Sequence, residues 1–173
     1  VGKEAVAESK RGFEAGAVGL KLHTGLQVFK ITDEIFFPLI ELAQAKLPLA
    51  RLLLHDLRQP FPTALLQRFE RIVSAYTFHH FDLPDKIVLI EQIMNDLLTP
   101  DGRLVIADIS FPNHRALDAI RLEAGDQWED EAYWIAAEAL PALKEIGLLV
   151  DYAQISNCAG IYVVSRRCNH FRP

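Results

Sequence analysis

The sequence predicts an α/β fold: a doubly wound, mostly parallel sheet flanked by helices, with an antiparallel C-terminal hairpin. Three observations predict it. Short β-rich apolar runs alternate with helical segments along the chain. The clearest strand, Arg103-Leu-Val-Ile-Ala-Asp108, is too apolar to be wet on either face, as a strand covered by helices on both sides would be. The last two β-rich runs, 148–155 and 160–165, are close enough in sequence to pair antiparallel.

Each element has a local reason. Leu26 to Ile31 reads as a strand, and residues 34–46 as a helix with Asp33 at its N-cap and Pro48 just past its end. Arg51 to His55 reads as a short buried strand, and Phe69 to Ser74 as another. Residues 84–98 form a helix, with Pro84 in its first turn and Ile87, Ile90, Ile93, Met94 and Leu97 along one face. Thr99-Pro-Asp-Gly102 spells a turn in which Gly tolerates a left-handed conformation. A helix from Ala116 to about Glu123 follows the 103–108 strand, then an acidic link and a second helix over 132–146. Pro141 is expected to kink or split that helix, and Gly147 to cap it.

The 173 residues carry 18 basic and 23 acidic side chains, a net charge of −5, and are half hydrophobic. That excludes a disordered or collagen-like chain and argues against nucleic-acid or anionic-membrane partners. Folding would hide roughly 70% of the unfolded surface, enough for a single domain over 1–173 without staples. Cys158 and Cys168 fit neither a CxxC nor a zinc spacing, so free thiols in a reducing, cytoplasmic compartment are expected. The opening VGKEAVAESKRGF has no signal-peptide core, and no apolar stretch approaches the roughly 20 residues of a membrane span. A monomer or homodimer is expected.

Ligands in such sheets sit at the carboxyl ends of the strands. There the sequence offers Asp33 and Glu34, then His55-Asp56-Leu57, then Ser74-Ala-Tyr-Thr-Phe-His-His80, then Asp108-Ile-Ser110. An acid at such an end can accept hydrogen bonds from a ribose diol. An aspartate followed by an apolar residue can take an adenine amino group while the ring packs. Each has a structural rival: Asp33 as an N-cap, Asp56 as a strand end, Tyr76 as core. His79 and His80 are expected to diverge, with no third ligand at suitable local spacing, so no metal site is expected. GxSxG, P-loop and GxGxxG motifs are all absent, and the last absence disfavours a nicotinamide oxidoreductase.

Residues 70–111, ERIVSAYTFHHFDLPDKIVLIEQIMNDLLTPDGRLVIADISF, resemble the later half of the class I S-adenosylmethionine-dependent methyltransferases. The matching positions are Ile72-Val73-Ser74, Tyr76, Phe78-His79-His80, Lys86, Leu98, Pro100, Gly102 and Ile106-Ala107-Asp108. LQVFKITDE, AQAKLP and LLLHDL upstream, and EALPALKEIGLLVDY downstream, extend the resemblance over roughly 26–165. It implies a Rossmann-like sheet and a small-molecule methyltransferase with S-adenosyl-L-methionine as cofactor. It also implies ribose binding by Asp33 or Glu34 and adenine binding by Asp56 with Leu57. Ser74, Ala75 and Tyr76 would line the methyl-donor side, with Tyr76, His79 and His80 as catalytic candidates. The insert over 113–135 would cap the pocket, its Trp128, Tyr133 and Trp134 suggesting an apolar or planar acceptor, though aromatic packing against the sheet explains them equally well.

One departure stands against these matches. The family's first strand and glycine loop should precede Leu26, within the N-terminal segment 1–25, where Gly12-Phe-Glu-Ala-Gly-Ala-Val-Gly-Leu-Lys-Leu-His-Thr-Gly25 stands instead. Glu14-Ala-Gly16 can open the motif, but Gly19 and Gly25 break its spacing. Two accounts stay open: a glycine-rich stretch missing from this sequence near residues 14–25, which the matched flanks favour, or a methyltransferase-like binding subunit that has lost the cofactor.

Overall fold

A computed structural model describes residues 55–167 except 66 and 67, together with Ala7, Arg11, Glu41, Leu42, Ala45 and Leu53. The chain divides into two compact units, Val1–Leu54 and His55–Pro173, and the second holds all the elements named below. The strand expected at Leu26–Ile31 lies outside the described residues. So does the helix over 34–46 apart from Glu41, Leu42 and Ala45, which are helical. Of the run Arg51–His55, Leu53 and His55 are described, and neither is in a strand.

Strand β1 (Phe69–Ala75) runs parallel to β2 (Leu98–Phe111). Helix α1 (Leu83–Gln92) crosses between them and continues as a π-type turn over Ile93–Leu97. It begins because the Asp82 side chain accepts the Asp85 N–H at 2.9 Å and Pro84 presets the first turn. Helix α2 (His114–Ala124) starts in the same manner, with Asn113 accepting the Ala116 N–H at 3.0 Å. A two-residue strand β3 (Trp134–Ile135) pairs parallel with the end of β2, and α3 (Ala136–Glu145) leads to β4 (Leu148–Gln154) and β5 (Ala159–Arg166). β4 and β5 form the expected antiparallel hairpin, and β5 lies antiparallel on β2, giving the order β1-β2-β5-β4.

Strand periodicity decides what is inside. Leu104, Ile106, Tyr162 and Val164 point to one face and are fully buried against Leu89, Ile90, Met94, Ala139 and Leu143 from α1, its π-type turn and α3. The alternate residues Val105, Ala107 and Ile109 are half-buried. Asp108 and Ser110 fall in register with Leu104 and Ile106, so a carboxylate and a hydroxyl are carried onto the buried face.

Three local expectations are corrected. Thr99–Gly102 is not a free turn: β2 begins at Leu98, opposite Phe69, and the extra residues form a bulge before Arg103 pairs with Arg71. Gly102 is needed for room rather than for a left-handed φ. A Cβ there would lie 3.0 Å from the carbonyl oxygens of Phe69 and Thr99 and 2.9 Å from the Leu98 side chain. The last helix starts at Ala136 rather than at 132, because Trp134 and Ile135 pair with Ser110 and Phe111. Pro141 then sits inside an unbroken helix, and the carbonyl it leaves without an intrahelical partner belongs to the exposed Ala137. Gly147 ends the helix as expected, with φ +85°.

Gly102→Ala is therefore expected to destabilise the protein by about 1–3 kcal/mol through overpacking against backbone atoms. Urea unfolding with a midpoint equal to wild type would contradict this reading of the bulge.

Candidate active site

The chain turns out of β1 through Tyr76, a non-glycine residue at φ +48°. Its N–H still reaches the Ala107 carbonyl at 2.9 Å, extending the β1–β2 pairing by one bond. A bulky residue in the left-handed region is strained, and such strain persists only where the surroundings impose it. Here they do so through Asp108. Its Oδ2 accepts the N–H groups of Thr77 at 3.3 Å, Phe78 at 2.7 Å and His79 at 3.2 Å, while Oδ1 accepts Ile109 N–H at 2.8 Å. The fifth donor is the imidazole Nδ1–H of His79. Burial alone would raise the Asp108 carboxyl. The His79 hydrogen bond and charge, with the Ile109 and Phe78 N–H groups, outweigh it and hold the group below the usual carboxylate range. An ionised carboxylate only accepts, so the proton on this contact belongs to His79.

That bond leaves His79 Nε2 facing Glu131, 3.6 Å from Oε2. His80 Nδ1 lies 3.3 Å from Oε1 of the same carboxylate. The two imidazoles do not diverge as expected: in the short 3-10 segment Phe78–His80 their ring centroids are 4.1 Å apart. His79 is buried, whereas His80 keeps 31% of its side chain exposed. One further side chain ties this corner together. The Lys86 ammonium, buried in α1, donates to the carbonyls of Phe81 and Ala132 and lies 5.1 Å above the Trp134 ring. It thus links the residue after His80 to the residue after Glu131. Burial lowers the Lys86 ammonium to about 8, against the opposing pull of Asp108 and Asp82.

Asp33 and Glu34 lie outside the described residues. Asp56 stands in an exposed turn, where Oδ1 accepts the Arg58 N–H at 3.0 Å and its carbonyl accepts the Gln59 N–H at 2.9 Å. Leu57 packs against the core. Ser74 and Ala75 close β1 opposite Ile106 and Ala107, and Tyr76 is 51% exposed. Of the aromatics in the 113–135 insert, Trp134 belongs to the core, 4.7 Å from Tyr162 and 5.8 Å from Phe78, because β3 pairing turns it inward. Trp128 and Tyr133 pack on one another and on Phe111. The sequence places Asp108 at a strand end without showing its partners, marks Lys86 only as a matching position with no role, and gives no sign of Glu131. An acid in phase with Leu104 and Ile106 was the available signal for Asp108, since a buried carboxylate requires donors. Nothing local marks Glu131. Among the described residues no helix is long and apolar enough to cross a membrane.

The Lys86 clamp has a signature in pH. Its folded value of about 8 lies below the ordinary 10.5, so between the two the unfolded chain binds more protons. Stability should therefore rise with pH across that window. Denaturation of wild type and Lys86→Met side by side should show the rise only in wild type. Parallel profiles would mean that Lys86 is not held as described.

No protein-family model matches the sequence, and no curated protein matches it either. Solved structures do. The PH0226 protein from Pyrococcus horikoshii OT3 superposes with a TM-score of 0.57 at 14% identity, over 80% of this chain and 69% of its own. A DhpI–SAM–HEP complex gives 0.56 at 12%, over 73% of this chain and 63% of its own. The mitomycin 7-O-methyltransferase MmcR gives 0.54 at 19%, over 78% and 40%. The chain thus spans less than two thirds of the latter two. At these identities the likeness concerns architecture, and the chain has the class I S-adenosylmethionine-dependent methyltransferase fold.

Proposed function

We propose that this chain transfers a methyl group from S-adenosylmethionine to a small-molecule acceptor. The observation that carries the reading is the carboxyl end of the β1–β2 pair. There a strained, half-exposed Tyr76 and a carboxylate-anchored histidine pair stand together in a fold whose neighbours include a SAM complex. Asp56 and Leu57 suit the adenine end of the cofactor. Asp56 offers an exposed carboxylate oxygen, Oδ2, with no partner among the described residues, beside the apolar Leu57, a combination suited to an adenine ring and its amino group. By the resemblance, ribose falls to Asp33 or Glu34, and the methyl-donor side to Ser74, Ala75 and Tyr76.

The bound sulfonium supplies an activated methyl group with an excellent leaving group. What remains for the chain is alignment, exclusion of water and removal of the acceptor's proton. Tyr76 would orient the reacting groups, and the bond from its N–H to the Ala107 carbonyl, which fixes its backbone, supports that role. The proton goes to the His79–His80–Glu131 cluster. His79 is rigid and buried, held in one tautomer by Asp108, while His80 is accessible.

Titration calorimetry should detect S-adenosylhomocysteine binding and no NAD binding. Asp56→Ala should weaken the former by about 1–3 kcal/mol. Tyr76→Phe should lower turnover more than cofactor affinity, as expected for an interaction that strengthens in the transition state. His79→Ala should chiefly cost stability, and His80→Ala should reshape the pH–rate profile. Absence of S-adenosylhomocysteine binding would overturn the proposal and favour the methyltransferase-like subunit that has lost the cofactor.

A further inference from the structure

We infer that His79, His80 and Glu131 form a binding site for a divalent metal ion of the zinc class. The reasoning begins with distances. Glu131 presents one oxygen to each imidazole, at 3.6 Å from His79 Nε2 and 3.3 Å from His80 Nδ1. A charge-assisted hydrogen bond between such groups closes to about 2.7–2.9 Å. Both contacts are wider than that. The His80 contact equals the ligand-to-ligand edge of a tetrahedral ion with bonds of about 2.0–2.1 Å, roughly 3.3 Å, and the His79 contact, to the other oxygen of Glu131, is slightly longer. The three donor atoms all lie within 4.8 Å of one another, close enough for one ion to draw them together.

The surroundings are those of a metal site as well. A ligating histidine ordinarily donates its other ring N–H to a carboxylate, which fixes the tautomer and aims the lone pair. Asp108 does this to His79. The same carboxylate pins the backbone of Thr77, Phe78 and His79, and Lys86 fastens Phe81 to Ala132, so both ligand-bearing segments are held before any ion arrives. Charge favours a dication too. Two acidic side chains bracket the buried imidazole of His79, and a doubly charged ion between them makes the group neutral.

The donor set selects the ion. Two imidazole nitrogens with one carboxylate suit zinc, cobalt or ferrous iron rather than magnesium or calcium, which take oxygen. Three protein ligands are also the complement of sites that keep a fourth position for water or substrate. The inference does not rest on methyl transfer: ion binding is measured without a methyl donor, and an ion held here would occupy the groups proposed above to take the proton, so only the metal-free chain would use them as a base.

The test uses the full chain, stripped with chelator and titrated with cobalt(II) chloride while the visible absorption of the ion is followed. One equivalent should bind with a tetrahedral-type spectrum, and zinc(II) chloride should displace it. His80→Asn and Glu131→Gln leave the His79–Asp108 bond intact, and circular dichroism checks their fold. Each should weaken cobalt binding by about tenfold or more. His114→Asn is the control, since His114 pairs with Glu138 at 2.6 Å. No cobalt spectrum in the wild-type chain, or equal binding by the folded His80 and Glu131 variants, would overturn the inference.

Discussion

The corner between β1 and β2 depends on one carboxylate. Asp108 lies on the buried face of a strand whose neighbours in phase are Leu104, Ile106 and Ser110, where an unpartnered charge would cost several kcal/mol. Five donors converge on its two oxygens, and four of them are backbone N–H groups. The strand has no freedom to present this group elsewhere. The segment after β1 must therefore fold over it as a 3-10 turn, and Tyr76 must enter the left-handed region to let that happen. The opposite residue on β5 is Gly160, where a Cβ would come within 3.0 Å of Ser110 Oγ. The space is given instead to the Ser110–Tyr162 hydroxyl pair, 2.8 Å apart.

From that anchor the site follows in steps. Three N–H groups fixed on Asp108 determine where His79 emerges, the fifth donor determines which of its nitrogens carries the proton, and the other nitrogen then faces Glu131. Glu131 comes from a link with no regular structure, and its position relies on Lys86. A buried lysine satisfied by two carbonyls and an indole face, with no carboxylate hydrogen-bonded to it among the described residues, is a costly device. It fits a place where two segments from different parts of the chain must be held at a fixed separation.

Much of this fold was legible because its signals are local. Alternation identified β1, β2 and the β4–β5 hairpin, and spacing identified the buried face of α1. Even there Lys86 joins Ile87 on the inward side, more deeply buried than it, because its head finds carbonyl partners inside. The bulge at Thr99–Gly102 was read as a turn, since proline and glycine punctuate both and only pairing with Phe69 distinguishes them. The start of the last helix is misplaced because the pairing of Trp134 and Ile135 is a long-range event, and Pro141 leaves that helix unbroken because the carbonyl it frees belongs to the exposed Ala137. The site was half legible for the same reason. Tyr76, His79 and His80 follow a visible strand, whereas the contribution of Glu131 arises from tertiary contacts that no spacing encodes. Asp33 and Glu34 belong to the part of the chain outside the described residues.

The most direct measurement of the Asp108 anchor is the protonation pattern of the His79 ring, read from long-range proton–nitrogen correlations in solution. With the carboxylate accepting as described, Nδ1 carries a proton that exchanges slowly and resonates far downfield, and this holds from neutral pH down towards the carboxylate range. A His79 ring whose Nδ1 is unprotonated at neutral pH, with its proton on Nε2, would contradict the account at its root.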